Sequence, residues 1–193
     1  LAHLLRSRRR LGHKEVLALA EQVGSVIDAA SERGIVHRDI KPQNLFRTAV
    51  DDEVVWKVLD FGASKLAEHS GTLTQGRVVG TPAYMSPQQA KGQDVDSAAD
   101  RYCLAAIAYR CLAGRPPFSG KDLPTTLFNV VYGTPPQPSI VCDVTPEVDY
   151  VLAIGMAKEP QSRFTTAKQF ADALEAAGKG KIEPQLEHHA KAL

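Results

Sequence analysis

The chain has 193 residues, 44% of them hydrophobic, which is enough for one domain with a sizeable core. Lys and Arg number 23 against 22 Asp and Glu, a formal net charge of +1, so no global field draws the chain to nucleic acid or to a membrane surface. Cys103, Cys111 and Cys142 are odd in number and lack Cys-x-x-Cys spacing, which argues against a zinc site or a disulfide framework and fits a reducing cytosol. No apolar run approaches the ~20 residues that span a bilayer, and no signal-peptide pattern is present. The first residue is Leu rather than Met, so the chain reads as a piece of something longer.

Residues 1–10 end in Arg-Ser-Arg-Arg-Arg without interleaved aromatics, which reads as the wet face of a short helix rather than a nucleic-acid patch. Residues 14–32 predict a helix, because Val16, Leu19, Ala20, Val23, Ile27 and Ala30 repeat at helical spacing and Gly34 stands where a C-terminal cap belongs. Residues 35–44, Ile-Val-His-Arg-Asp-Ile-Lys-Pro-Gln-Asn, hold a carboxylate (Asp39), a cation (Lys41) and a carboxamide (Asn44) close together. Pro42 lacks an N–H and pushes Lys41 out of the α region, so these groups sit on a rigid loop. Strand-like residues follow at 45–46 and again at 54–59, just before Asp60-Phe61-Gly62. Two strand ends thus deliver Asp39, Asn44 and Asp60 to one place. Phosphoryl transfer from a nucleotide needs such a set: a carboxylate for the hydroxyl proton, a cation for moving charge, and hard oxygens for magnesium. A lone Asp-x-Lys would be read as a solvated turn.

Residues 63–79 form a polar loop rich in Gly and Thr. Gly71-Thr-Leu-Thr-Gln-Gly76-Arg77 approaches a phosphate-loop pattern but has Arg and Val78 where that pattern wants Lys and Ser or Thr, so it is rejected. Residues 95–113 predict the most apolar helix, stopped by Gly114-Arg-Pro-Pro-Phe118, with Asp100 near its start. Helices follow at 123–132 and 146–158, joined by a Pro-rich stretch at 134–139. Thr165-Thr166 caps a last helix to about residue 177. From 178 the Gly-, Lys- and Glu-rich sequence reads as a frayed tail or linker, with His188 and His189 solvated. There is no internal repeat.

His37-Arg38-Asp39 with Asn44 and a downstream Asp60-Phe61-Gly62 resembles the catalytic and metal-binding loops of eukaryotic-type protein kinases. The resemblance covers roughly residues 1–177 and implies a mainly α fold with a small β-hairpin region, the large C-terminal lobe of the kinase-like fold, with 178–193 outside it. Lys41 two residues after Asp39, Ser86-Pro87-Gln88-Gln89 and Gly114-Arg-Pro-Pro-Phe118 resemble the bacterial serine/threonine branch. The implied roles are Asp39 as proton acceptor, Lys41 as charge stabiliser and ATP contact, Asn44 and Asp60 as magnesium ligands, and His37 and Phe61 as packing residues, with Gly62 completing the metal-binding loop. Thr81, in Gly80-Thr81-Pro82-Ala83-Tyr84, would bond near Asp39 and Lys41. Thr72 and Thr74 become candidate phosphosites on an activation loop, with Arg38 as receptor for the phosphate. Asp100 would hold the catalytic-loop backbone.

The sequence departs from the family at Gln88, where a Glu usually pairs with a buried Arg, here Arg163. No Gly-x-Gly-x-x-Gly occurs, and no strand bearing Ala-x-Lys precedes residue 35, so the small lobe is missing and the chain is expected to be half of an ATP site. The implied cofactors are ATP and Mg2+, with Mn2+ as a substitute. The implied partners are proteins with Ser or Thr acceptors and no nucleic acid, and the uncovered nucleotide-facing surface is expected to favour association. The lobe reads as cytoplasmic, and membrane anchoring of the parent stays open. The alternatives are a pseudokinase-like scaffold, a small-molecule phosphotransferase of related fold and, more distantly, a metal-dependent hydrolase using Asp39 and Asp60.

Overall fold

The computed structural model describes residues 1–51, 53–60 and 82–193. Helices α1 (Ala2–Arg8) and α2 (His13–Ser31) lead through the 35–44 loop to strands β1 (Leu45–Val50) and β2 (Glu53–Val58). Helices α3 (Pro87–Ala90), α4 (Ser97–Ala113), α5 (Leu123–Tyr132), α6 (Pro138–Val141), α7 (Pro146–Gly155), α8 (Ala167–Ala177) and α9 (Pro184–Lys191) follow.

Helix α4 is the axis of the core. Its N-terminus is fixed by Asp96, whose side chain accepts from the Ala98 amide at 3.0 Å, and its C-terminus by Gly114 at φ 76°. Tyr102, Leu104, Ala105, Ala106, Ile107, Ala108 and Tyr109 are fully buried, so α4 is apolar around its whole circumference rather than along a stripe. Helices α2, α7 and α8 pack around it. Opposite Ala105, a Cβ on Gly155 would stand 2.7 Å from the Ala105 Cβ, so α7 approaches α4 closely only because residue 155 is glycine.

Helix α2 buries Val16, Leu19, Ala20, Val23 and Ile27. It closes with Ile35 N–H donating to Ala30 O and Gly34 N–H to Ser31 O, both at 2.9 Å, with Gly34 at φ 67°. This double bond pattern is the Schellman ending, and it aims the chain into the 35–44 loop. Asp28 on α2 accepts from the Ala167 and Lys168 amides at 2.8 and 2.9 Å, and so places a carboxylate at the start of α8 beside the Thr166 cap.

The two strands pair antiparallel with Leu45 opposite Val58 and Val50 opposite Glu53. The outer edge of β2 is not left bare. Gln22 of α2 donates to Val54 O at 3.0 Å and accepts from Trp56 N–H at 2.8 Å, replacing a missing strand.

Two expectations are corrected. The helix expected over 146–158 stops at Gly155, because the carbonyls of Ala157 and Lys158 turn away to receive the Arg163 guanidinium. Residues 178–193 are not a frayed tail: α9 begins on Pro184 and packs against α7, with His189 Nε2 2.7 Å from Ser162 O and Lys191 Nζ 5.6 Å from the Tyr150 ring centroid. Its few apolar residues, Leu186 and Ala190, find their partners on a distant segment. Among the described residues no helix is long and apolar enough to cross a membrane.

Candidate active site

The 35–44 loop is held by its backbone. Asp100, on the first turn of α4, accepts from His37 N–H at 2.7 Å through Oδ2 and from Arg38 N–H at 2.9 Å through Oδ1. Burial pushes the Asp100 carboxyl up from its ordinary range, while these two amide bonds act in the opposite direction. Arg38 takes the left-handed conformation, φ 66°, which costs a non-glycine residue about 1–2 kcal/mol. Asp60 shares it at φ 65°. Two such residues in neighbouring segments are over-determined by their surroundings, as functional loops tend to be.

His37 is 1% exposed and joins the two segments. Its Nδ1 accepts from Asp39 N–H at 3.2 Å, so Nε2 carries the hydrogen and donates to Leu59 O at 2.9 Å. Both ring nitrogens are thereby engaged in structure, which removes His37 as a general base. Leu59 N–H also donates to Asn44 O at 2.8 Å, extending the hairpin ladder one step and bringing Asp60 beside Asn44.

Asp39, Lys41 and Asn44 form one polar cluster. Lys41 Nζ lies 2.8 Å from Asp39 Oδ2, and Asn44 Nδ2 donates to the same oxygen at 3.0 Å and to Asp39 O at 2.9 Å. Lys41 is extended, as the residue before Pro42 must be, and residues Pro42–Asn44 form a 3₁₀ turn that folds Asn44 back onto Asp39. The Asp39 side chain is 48% exposed and open to solvent, while Asn44 is buried. With Nδ2 committed to Asp39, the carboxamide oxygen of Asn44 is left as a ligand atom, and the exposed Asp60 carboxylate offers a second hard oxygen. That donor set fits Mg2+, which keeps waters and substrate phosphates as its other ligands. Among the described residues no group of three His, Cys, Asp or Glu could enclose a metal by itself.

Arg163 meets Gln88 at the other end of the site's support. Both are buried, and Arg163 donates to Gln88 Oε1 at 3.0 Å, Ala98 O at 3.0 Å, Ala157 O at 2.8 Å and Lys158 O at 2.8 Å. Its carbon Cζ also lies 4.9 Å from the Tyr102 ring centroid. Burial lowers the Arg163 guanidinium to about 10.

Phe61, Gly62, Thr72, Thr74 and Thr81 lie outside the described residues. One contact had no counterpart in the sequence reading: Gln89 Nε2 donates to Arg38 O at 2.6 Å. The Ser86-x-x-Gln89 spacing signals a capping box, but nothing local points across to residue 38.

The family model described as the protein kinase domain matches residues 1–174. Serine/threonine-protein kinase Pkn1 of Myxococcus xanthus is 41% identical over 165 residues, covering 84% of this chain and 24% of that protein. Serine/threonine-protein kinase PknA of Mycobacterium tuberculosis is 32% identical over 185 residues, 96% of this chain and 42% of that protein. Serine/threonine-protein kinase PknD of the same species is 35% identical over 173 residues, 89% of this chain and 26% of that protein. The chain therefore spans less than half the length of these curated relatives.

Proposed function

Because this chain belongs to the protein kinase family, we propose that it is the large lobe, residues 1–177, of an ATP-dependent protein serine/threonine kinase. The observation that carries the reading is the sharing of one Asp39 oxygen between Lys41 Nζ and Asn44 Nδ2. A carboxylate held this way keeps its second oxygen, Oδ1, for the hydroxyl of a substrate Ser or Thr. Asp39 orients that hydroxyl and takes its proton as the oxygen attacks the γ-phosphorus; the bond to the bridging oxygen breaks and its electron pair leaves with ADP. Lys41 lies where it would neutralise charge on the transferred group. Asn44 and Asp60 would hold Mg2+, and Mn2+ has the same preference for oxygen ligands. A metal held by these two side chains would supply positive charge to offset that of the nucleotide phosphates.

Ile35, Phe46 and Leu59 are 41%, 55% and 41% exposed beside the site, apolar surface that supports association of the lobe through its nucleotide-facing side. The free thiols of Cys103, Cys111 and Cys142 support a cytoplasmic lobe. Arg38 remains the proposed receptor for phosphate on Thr72 or Thr74.

Asp39→Asn in the intact protein that carries this lobe is the test. Transfer to a basic protein substrate falls by about 10²–10⁴-fold while Mg2+-dependent ATP affinity holds. Equal turnover in both forms would remove Asp39 from this role. A wild-type protein that binds partners but never transfers phosphate would be a scaffold, the reading that Gln88 in place of a carboxylate favours.

A further inference from the structure

We propose that Gln89 is a positioning residue for Asp39, fastening the peptide between Arg38 and Asp39 to helix α3. The proposal rests on the kinase reading of the site. Gln89 is split between two tasks. Its Oε1 accepts from Ser86 N–H at 3.1 Å and from Ser86 Oγ at 3.0 Å, while Ser86 Oγ receives Gln89 N–H at 3.4 Å, which is the reciprocal capping box of α3. The cap leaves the amide hydrogens of Nε2 over, and one of them goes to Arg38 O at 2.6 Å, across 51 residues of sequence.

The place of that bond gives it meaning. The peptide leaving Arg38 exposes its C=O on one side and the Asp39 N–H on the other. Gln89 holds the C=O at 2.6 Å and His37 Nδ1 accepts the N–H at 3.2 Å, so both ends of one plane are gripped. Asp100 holds the preceding amides, those of His37 and Arg38, but reaches neither end of this one. Arg38 is left-handed, and a strained residue relaxes by rotating its flanking peptides. Rotation of this one would swing the Asp39 carboxylate away from Lys41 and Asn44. A displacement on the scale of an ångström at a reacting group is enough to lower turnover severely.

Gln89→Glu separates the two tasks. Glutamate caps as well as glutamine at this position, but its carboxylate has no hydrogen to give and faces the Arg38 carbonyl with like polarity. Wild type, Gln89→Glu, Gln89→Ala and Asp39→Asn are compared in the intact protein for kcat, KM for ATP and melting temperature. Gln89→Glu is expected to lose about tenfold or more in kcat with KM within about twofold and melting temperature within about 2 °C of wild type. Gln89→Ala loses the cap as well, and falls in both kcat and melting temperature. Wild-type kcat in Gln89→Glu, beside an active wild type and an inactive Asp39→Asn, would overturn the proposal alone. So would a kcat loss that merely follows melting and disappears when the assay is cooled. Equal activity in wild type and Asp39→Asn would overturn the reading of the site, and this proposal with it.

Discussion

Two buried charges meet the first turns of α4, and among the described residues neither hydrogen-bonds an opposite charge. Asp100, 2% exposed, is solvated by the amides of His37 and Arg38; Arg163, 5% exposed, by three carbonyls and the Gln88 carboxamide. Each substitutes fixed backbone dipoles for a counter-ion, which is the arrangement in which a buried charge organises chain around itself. What they organise differs. Asp100 gathers two consecutive amides of the loop that carries Asp39, so it shapes the proposed site. Arg163 gathers chain from α4, the start of α3 and the turn after α7, so it braces the frame. A buried carboxylate aimed at amides and a buried guanidinium aimed at carbonyls are mirror solutions with separable outputs.

The largest effect that tests this separation comes from Asp100→Asn. Asparagine has one acceptor oxygen where aspartate has two, so one of the two loop amides loses its partner. The change destabilises by about 2 kcal/mol, a fall of roughly 4–8 °C in melting temperature, and lowers kcat as well. A fall in melting temperature alone, with kcat intact, would erase the distinction between the two charges.

Gln88→Glu is smaller and opposite in sign. It supplies Arg163 with a charge-assisted partner and raises stability by about 1 kcal/mol without touching kcat. Thermal unfolding monitored by circular dichroism reads it directly; no gain would mean that the four neutral acceptors already suffice.

The smallest effect concerns Lys158, whose carbonyl serves Arg163 while its ammonium donates to Val130 O at 2.7 Å. Burial first, then repulsion by Arg163 and Lys91, lowers Lys158 to about 8. The native state thus sheds this proton before the unfolded chain does, so its unfavourable contribution is present at pH 7 and fades as pH rises from about 8 towards the ordinary value of 10.5. Lys158→Met accordingly gains about 0.5 kcal/mol at pH 7, solvent screening having been discounted, and the advantage shrinks above pH 8. A pH-independent difference would show that the methylene stem, not the charge, decides it.

Elements whose determinants are local were legible in the sequence. Helix α2 is read within a residue at each end, since its apolar period lies inside it and Gly34 stops it from three residues beyond. Helix α5 is read to the residue, and α8 through Thr166. The cluster of Asp39, Lys41 and Asn44 was legible because Pro42 confines all three to one loop. The features that escaped depend on partners outside the element itself. Helix α9 has too few apolar residues to announce itself and is held by α7. The early end of α7 is dictated by Arg163, and the second use of Gln89 by a carbonyl at residue 38.

The fastening of His37 and Arg38 to Asp100 also bears on how the molecule opens. Loop amides ordinarily exchange their hydrogens by small local fluctuations, at little free-energy cost. These two are bonded to a side chain on a helix whose Ala99, Ala105, Ala106 and Ala108 are fully buried in the close-packed core. Freeing them means breaking bonds to the most tightly enclosed helix of the core. The segment is irregular in shape, yet in cooperativity it belongs to α4, and the Asp39 carboxylate breathes only as far as the core allows.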